Sequence, residues 1–477
     1  MAFHSDAKDM KVQLFDFSSF LNNTAIKNDT GEEMTYRQLQ SDVDSLKEVL
    51  LSQKLSFCLC TNSIASVVGY VALLQSGVAT VLLDANKDQE LLNDLLSVYH
   101  PNYVWAPKAT GYGKVLAVYK NYALYEHSQS HVNLHPDLSL LLTTSGSTGS
   151  PKLVRLTQKN LRSNAESIAQ YLHITECERP VTSLPMYYSF GMSVINSHFI
   201  KGATLLLTDK TVFDKEFWDF VKEEKATSIA GVPYTYEMLK RLRFMRMDLP
   251  DLKMMIQAGG KLNANIAKEY IEWAKVNDKQ FIVMYGQTEA APRMSYLPFE
   301  SAMEKYSSIG IAIPGGEFSL RDADNKGIDS PNVDGELVYL GENVCLGYAD
   351  SPEDLLKGDE NHGVLHTGDI ARRDEDGFYY ITGRMKRFVK IWGNRVNLDA
   401  IEQMIKPVTT NCACVGIDDK ITVFLTDNSC ATKIVPMLAE KTKLNMRAFE
   451  VQIINEIPIM DSGKVDYAQL QVLKDKK

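Results

Sequence analysis

Residues Leu138 to Arg155, LSLLLTTSGSTGSPKLVR, decide how the rest of the chain is read. The apolar start, Leu138 and Leu140 to Leu142, predicts a buried strand. It opens into Thr143, Thr144, Ser145, Gly146, Ser147, Thr148, Gly149, Ser150, Pro151 and Lys152, and apolar character returns at Leu153 and Val154. Small residues let successive backbone N–H groups turn toward one point, and hydroxyls add donors. The loop therefore has the makings of an anion cradle. Lys152 places a compact positive charge beside it. A Walker A loop requires Gly, four residues, then Gly-Lys-Ser/Thr. Here Pro151 stands five after Gly146 and Leu153 follows the lysine, so the spacing excludes it.

Composition narrows the function classes. A chain of 477 residues is too long for one ordinary core, so two or three domains are expected. Its 45% hydrophobic and 23% charged content is that of a soluble globular protein. With 51 basic against 60 acidic residues, net charge −9 and no basic block, nucleic acid is not an expected partner. Four of the seven cysteines form Cys-x-Cys pairs (Cys58/Cys60, Cys412/Cys414) in strand-like runs. They read as buried free thiols of a reducing compartment rather than metal ligands. The polar start MAFHSDAKDMK does not look like a signal peptide, and a cytoplasmic protein is expected. The uncharged stretch 63–83 is broken at Gln75-Ser76-Gly77 into a helix (64–76), ended by Gly77 in a left-handed conformation, and a strand (78–83). A buried helix–strand unit fits this stretch better than a membrane span.

Along the chain, Thr35 and Gln38 form a capping box for a helix with Leu39, Val43, Leu46 and Leu50 on one face. Strand-like runs at 55–60, 78–83, 102–105 and 114–118 alternate with helical segments, which predicts parallel α/β layers. His127, His131 and His135 have the i, i+4, i+8 spacing of a helical metal site, but their polar, proline-ended segment reads as a surface loop. A helix is predicted over 160–172. Apolar runs at 254–258 and 281–284 end in Gly259-Gly260-Lys261-Leu262 and Tyr285-Gly286-Gln287-Thr288-Glu289, and α/β sheets place ligands where strand ends open into such loops. Alternating patterns over 308–340 predict a β-rich subdomain, and 374–378 a tight turn between strands. A helix is expected over 394–405. The last ninety or so residues read strand (412–417), strand (421–426), helix (431–441), strand (451–455).

The order of these segments resembles the ANL superfamily of adenylate-forming enzymes (acyl-CoA synthetases, nonribosomal-peptide adenylation domains, luciferases) over roughly residues 30 to 470. Residues 144–152 match the family's phosphate loop, Thr/Ser-Ser-Gly-Ser/Thr-Thr-Gly-x-Pro-Lys, at every specified position, with Leu153 where glycine is usual. The resemblance implies an α/β chain: a large N-terminal domain (1–383) of layered α/β subdomains plus the β-rich one, and a small mobile α+β domain (384–477). It also implies ATP and Mg²⁺, with Tyr285 stacked on adenine, Thr288 near the α-phosphate, Glu289 holding the metal, and Asp369 and Arg384 on the ribose. Lys386 would be the hinge, Gly393 would border the thiol channel, and Lys464 in Pro-x-x-x-x-Gly-Lys would be the mobile catalytic lysine. Arg387 replaces a commonly acidic neighbour.

Two departures bear on the substrate. Acyl- and aryl-CoA synthetases have Leu-Pro-x-x-His-x-x-Gly along the acyl channel, and Tyr188 takes the histidine position. Amino-acid-activating relatives have Ser-Phe-Asp-x-Ser-Val where this chain has Ser189-Phe190-Gly191-Met192-Ser193-Val194. Without the aspartate, a buried substrate ammonium has no counter-charge, which favours an acid lacking an α-amino group. The expected reaction is formation of acyl-AMP from a small-molecule carboxylic acid, then transfer to the thiol of CoA or of a carrier protein's phosphopantetheine. Amino-acid adenylation for carrier loading, amide formation, or non-catalytic adenylate binding are the alternatives.

Overall fold

The uncharged stretch from Ser63 is a helix–strand unit at the centre of the molecule. The computed structural model describes residues 12–86, 89–108, 111–130, 132–143, 152–392, 394–460 and 464–475. Helix Ile64–Gln75 is apolar on every side and almost wholly buried, as a helix covered on both faces must be. Gly77 (φ 66°) turns the chain out of it into strand Ala79–Asp84. Thr35 and Gln38 form the expected capping box of Tyr36–Lys47.

Two large sheets share that centre. One runs, in spatial order, Gly347–Ala349, Leu153–Thr157, Leu138–Thr143, Ala79–Asp84, Leu55–Cys60, Tyr103–Pro107, Tyr122–Glu126 and Lys114–Tyr119. The other runs Ile311–Ala312, Arg293–Tyr296, Gln280–Gly286, Met254–Gln257, Ser228–Gly231, Pro180–Val181, Leu205–Leu207, Thr24–Asn28 and Glu33–Thr35. One hydrophobic cluster contains Cys58 and Leu82 of the first sheet, Ile26 and Leu205 of the second, and Val67, Tyr70 and Phe199 of helices between them. Helix Gln89–Tyr99 covers the outer face of the first sheet; Lys215–Glu223 and Ala264–Val276 cover that of the second. The layered α/β architecture is as expected, but the sheets are mixed. Leu55–Cys60 pairs in parallel with its neighbours, whereas the 103–126 strands and the Leu138–Thr143/Leu153–Thr157 pair are antiparallel.

The β-rich subdomain is an antiparallel sheet of Gly316–Arg321, Gly335–Gly341, Val364–Arg373 and Tyr379–Arg384. The turn at Asp374 closes on itself (Asp374 N to Phe378 O, 2.9 Å), with Lys305 bridging Asp374 at 2.9 Å. Beyond it, strands Cys412–Ile417, Lys420–Leu425 and Phe449–Ile453 form a sheet with its own core, including Ile401, Val423 and Ile434.

One element departs from expectation. Residues Asn394–Asn397 are a strand, paired with Phe388–Ile391 in a hairpin, and the helix is Leu398–Ile405. Asn397 ends the strand because its side chain accepts from the backbone of Asp399 and Ala400, an N-cap that starts the helix there. Six of the seven cysteines are buried and all are free thiols. His127 bonds the Tyr112 carbonyl (2.8 Å) in a loop, and among the described residues no His/Cys/Asp/Glu cluster could hold a metal. No described helix is long and apolar enough to cross a membrane.

Candidate active site

Strands Ser228–Gly231, Met254–Gln257 and Gln280–Gly286 run in parallel and finish side by side, so the loops after them leave one edge of the sheet. Tyr285 and Gly286 are the last residues of the third strand. Opposite this edge stands Asp369, in Val364–Arg373 of the β-rich subdomain, with 3% of its surface exposed. The Tyr285 hydroxyl donates to Asp369 Oδ2 at 2.5 Å, Gln287 Nε2 donates to the same oxygen at 3.1 Å, and Arg384 Nε donates to Oδ1 at 3.1 Å. Arg384 is also Asp369's cross-strand partner. A carboxylate has about four acceptor positions, so these three donors leave room for a ligand hydroxyl. Burial, and then the Asp369 charge, push the Tyr285 phenol well above its ordinary range.

Glu289 lies in the turn Thr288–Ala290, where the Tyr348 hydroxyl donates to its Oε1 at 2.6 Å. Tyr348 belongs to Gly347–Ala349, which pairs with the strand leading away from the Ser/Gly-rich loop (Tyr348 opposite Val154). Lys152, at the mouth of that loop, places Nζ 3.1 Å from Asp350 Oδ2 and 5.8 Å from the Tyr348 ring. Fully buried Arg155 fixes the connection: its Nε donates to Tyr348 O (3.0 Å), and its Nη2 reaches the Glu360 carboxylate at 2.5 Å. The Thr288 hydroxyl shares a 3.2 Å hydrogen bond with Ser189, the first residue of helix Ser189–Phe199.

Lys464 arrives from the far end of the chain. Its carbonyl accepts from Met460 N at 2.8 Å, and the neighbouring Val465 pairs with Ile459 in an antiparallel bridge. Burial, and then the Arg384 charge, hold its ammonium below the ordinary lysine value; Glu289 and Asp369 act in the opposite direction. Glu289, Asp369 and Arg384 thus all act electrostatically on Lys464. Lys261 stands on the neighbouring rim, donating to Ile381 O at 3.1 Å, and burial lowers its pKa first of all. Gly260 accepts from Gln257 Nε2 at 3.0 Å.

Tyr188 caps the start of Ser189–Phe199, and its hydroxyl would stand 2.7 Å from a Cβ placed on Gly259. The two residues therefore meet. Gly191 lies in the same helix, three residues on. A Cβ there would drive into the Pro185 carbonyl, so an aspartate at this position would not face a substrate from this backbone. Gly191 lets the buried helix approach the Pro185 carbonyl closely.

Thr144, Ser145, Gly146, Ser147, Thr148 and Gly149, together with Gly393, lie outside the described residues. Lys386 is in the short turn Met385–Arg387. Arg387 makes ion pairs of 2.6 Å with both Asp399 and Glu402, and its guanidinium lies 3.7 Å from the Tyr467 ring centre. Sequence reasoning missed Gln287, Tyr348, Arg155 and Arg293. Gln287 sits inside a motif already singled out. Tyr348 and Arg155 carried no local signal, because their partners are distant in sequence. Arg293, 3% exposed, lies across from Gly286 in the sheet, with its guanidinium 3.9 Å from the Phe190 ring centre.

Comparison with known proteins bears on the whole arrangement. The family model described as AMP-binding enzyme matches residues 17–349. A long-chain-fatty-acid–CoA ligase of Escherichia coli O157:H7 is 30% identical over 352 residues, covering 69% of this chain and 60% of that protein. A feruloyl-CoA synthase of an Amycolatopsis species is 28% identical over 291 residues, 59% of this chain and 57% of that one. The match spans about 60% of the length of these curated relatives. Among solved structures, Bacillus subtilis o-succinylbenzoate CoA synthetase (MenE) with its acyl-adenylate intermediate aligns with TM-score 0.77 at 20% identity, covering 94% of this chain and 95% of that one. ATP-bound MatB from Rhodopseudomonas palustris aligns with TM-score 0.77 at 20% identity, covering 97% of each chain. At such identity the likeness shows a common fold.

Proposed function

Since the chain belongs to the AMP-binding enzyme family, we propose that it is an AMP-forming acid–thiol ligase, activating a carboxylic acid with ATP and passing the acyl group to CoA. The observation that supports this reading most is that Lys464 lies within electrostatic reach of Glu289, Asp369 and Arg384, groups supplied by widely separated parts of the chain. The curated relatives named as CoA ligases support CoA as the acceptor. A carrier-protein phosphopantetheine is the other thiol to be tested.

In the first step a carboxylate oxygen attacks the α-phosphorus of ATP. The bond from that phosphorus to the bridging oxygen breaks, and pyrophosphate leaves with its electron pair. Two anions must approach, so the site has to supply positive charge in fixed positions. Lys464 is the donor of that charge at the α-phosphate; it acts as a cation, with no proton taken from the acid. Lys152 and the hydroxyl-rich loop 144–149 serve the outer phosphates, and Thr288 the α-phosphate. Asp369 accepts from the ribose hydroxyls, with Arg384 beside it, and the Tyr285 ring offers a face to adenine. Mg²⁺, a hard cation suited to the Glu289 carboxylate that Tyr348 orients, supplies neutralisation of phosphate charge when bound.

In the second step the thiolate sulfur attacks the acyl carbon and AMP departs. Residues from Arg384 onward are proposed to turn as a small domain about Lys386, withdrawing Lys464 and bringing Gly393 to the thiol arm. The side chains at this junction support that boundary: Arg384 reaches back to Asp369, whereas Arg387 reaches forward to Asp399, Glu402 and Tyr467. The test is carboxylate-dependent exchange of labelled pyrophosphate into ATP over a panel of fatty, aryl, hydroxy and amino acids. Exchange with one acid class, abolished in Lys464→Ala, is expected. ATP binding without exchange on any acid would refute adenylation.

A further inference from the structure

Arg293 is a buried cation that the chemistry above leaves unused. Among the described residues its Nε and Nη2 have no hydrogen-bond partner, and its guanidinium lies 3.9 Å from the Phe190 ring centre, within electrostatic reach of Tyr171 and Tyr188. Both phenols are pushed up by burial and are neutral at ordinary pH. Burial pulls the guanidinium itself down to about 10, which still leaves it charged near neutrality. Among the described residues no carboxylate forms an ion pair with it. A buried charge without a counter-ion is costly, and an aromatic face offsets only part of that cost. The position is not remote. Arg293 sits across the sheet from Gly286, and Phe190 lies between Ser189, which bonds Thr288, and the buried helix wall that follows.

We infer that Arg293 is the receptor for a second acid group on the substrate, so that the activated acid is a dicarboxylate, one carboxylate reacting and the other held by the guanidinium. The inference rests on the adenylation reading above and names its substrate class. A hydrocarbon tail laid against Arg293 would leave its donors unanswered, whereas a carboxylate accepts two parallel N–H bonds from the guanidinium fork. The same positive charge disfavours an α-ammonium on the substrate. That supports an acid without an amino group on grounds independent of Gly191.

The experiment is pyrophosphate exchange by the full chain with α,ω-dicarboxylates of increasing length and with aryl dicarboxylates. Each is paired with its half-methyl ester and with the monocarboxylic acid of equal length. A site built around a buried polar group rejects substrates that leave it unpaired. The expected result is therefore kcat/KM at least about 100-fold higher for one diacid than for its half ester. Arg293→Met should collapse that ratio toward one, and Arg293→Lys should restore it in part. Equal rates for diacid and half ester in the unmodified protein, or exchange with monocarboxylic acids alone, would overturn the inference and leave adenylation standing. Absence of exchange with every acid would overturn both. The comparison in the unmodified protein decides the matter even if Arg293→Met fails to fold.

Discussion

At Lys464, burial and the Arg384 charge lower the pKa against the pull of Glu289 and Asp369. An ammonium that must be charged to stabilise an α-phosphate loses its function on deprotonation, and a lowered pKa moves that loss to lower pH. The alkaline limb of kcat/KM for pyrophosphate exchange, which reports the free enzyme, is therefore expected below the ordinary 10.5. The limb in kcat should lie higher, because bound phosphates favour the cation. Lys464→Arg should remove the limb from the accessible range. Lys464→Ala should reduce exchange by about 100- to 1,000-fold, while a synthetic acyl-AMP is still converted to thioester. Equal loss in both half-reactions would contradict a role confined to the first. Asp369 has a different dependence on its surroundings. Asp369→Asn keeps the shape but removes the counter-charge of Arg384 and turns an amide donor toward groups that already donate. ATP affinity by calorimetry should fall about tenfold or more, in line with a charged hydrogen bond of about 1.5–3 kcal/mol. Unchanged affinity would count against the ribose role.

Elements were legible in the sequence where one periodicity governed them and their partners were local. The capping box at Thr35, the strand at Leu138 and the uncharged helix ended by Gly77 were all of this kind. The hairpin at Phe388–Asn397 was not. Asn394-Arg395-Val396-Asn397 is polar and short, and a strand there is fixed by its pairing rather than by its own residues. The site divides the same way. Tyr285, Glu289, Asp369 and Lys464 stood in motifs, whereas Tyr348 and Arg293 owe their positions to folding. Gly191 shows why an identity can be legible and its reason not. Its missing side chain was read through chemistry, yet the Pro185 carbonyl occupies the space a Cβ would need. Gly191→Ala should therefore lower stability by about 1–3 kcal/mol, the usual range for overpacking, even though alanine favours a helix by about 1 kcal/mol over glycine. Denaturant unfolding measures this. A stabilised variant would show that the first turn of Ser189–Phe199 yields easily.

On the scale of the whole molecule, the two proposed reactions need different neighbours at one site. In the proposed adenylation Lys464 serves the α-phosphate, so the proposed thiol step needs another arrangement of the residues from Arg384 onward. The junction is narrow. Arg384 is tied by its side chain to Asp369 and Arg387 to Asp399 and Glu402, which leaves Met385 and Lys386 between two anchored residues. These residues form a 3₁₀ turn, whose backbone φ of about −50 to −70° is compatible with the proline value of about −65°. Lys386→Pro should therefore resist rotation away from the present arrangement, at the cost of crowding Met385 before it in the turn. Pyrophosphate exchange is expected to stay within about threefold of the unmodified protein, since less than 1 kcal/mol separates those rates. Thioester formation from synthetic acyl-AMP is expected to fall by at least about 100-fold, a barrier increase of about 2.7 kcal/mol. Loss of both activities would mean that the proline distorts the turn itself. Retention of both would place the pivot elsewhere in the chain, and the separation of the two reactions would then need another moving part.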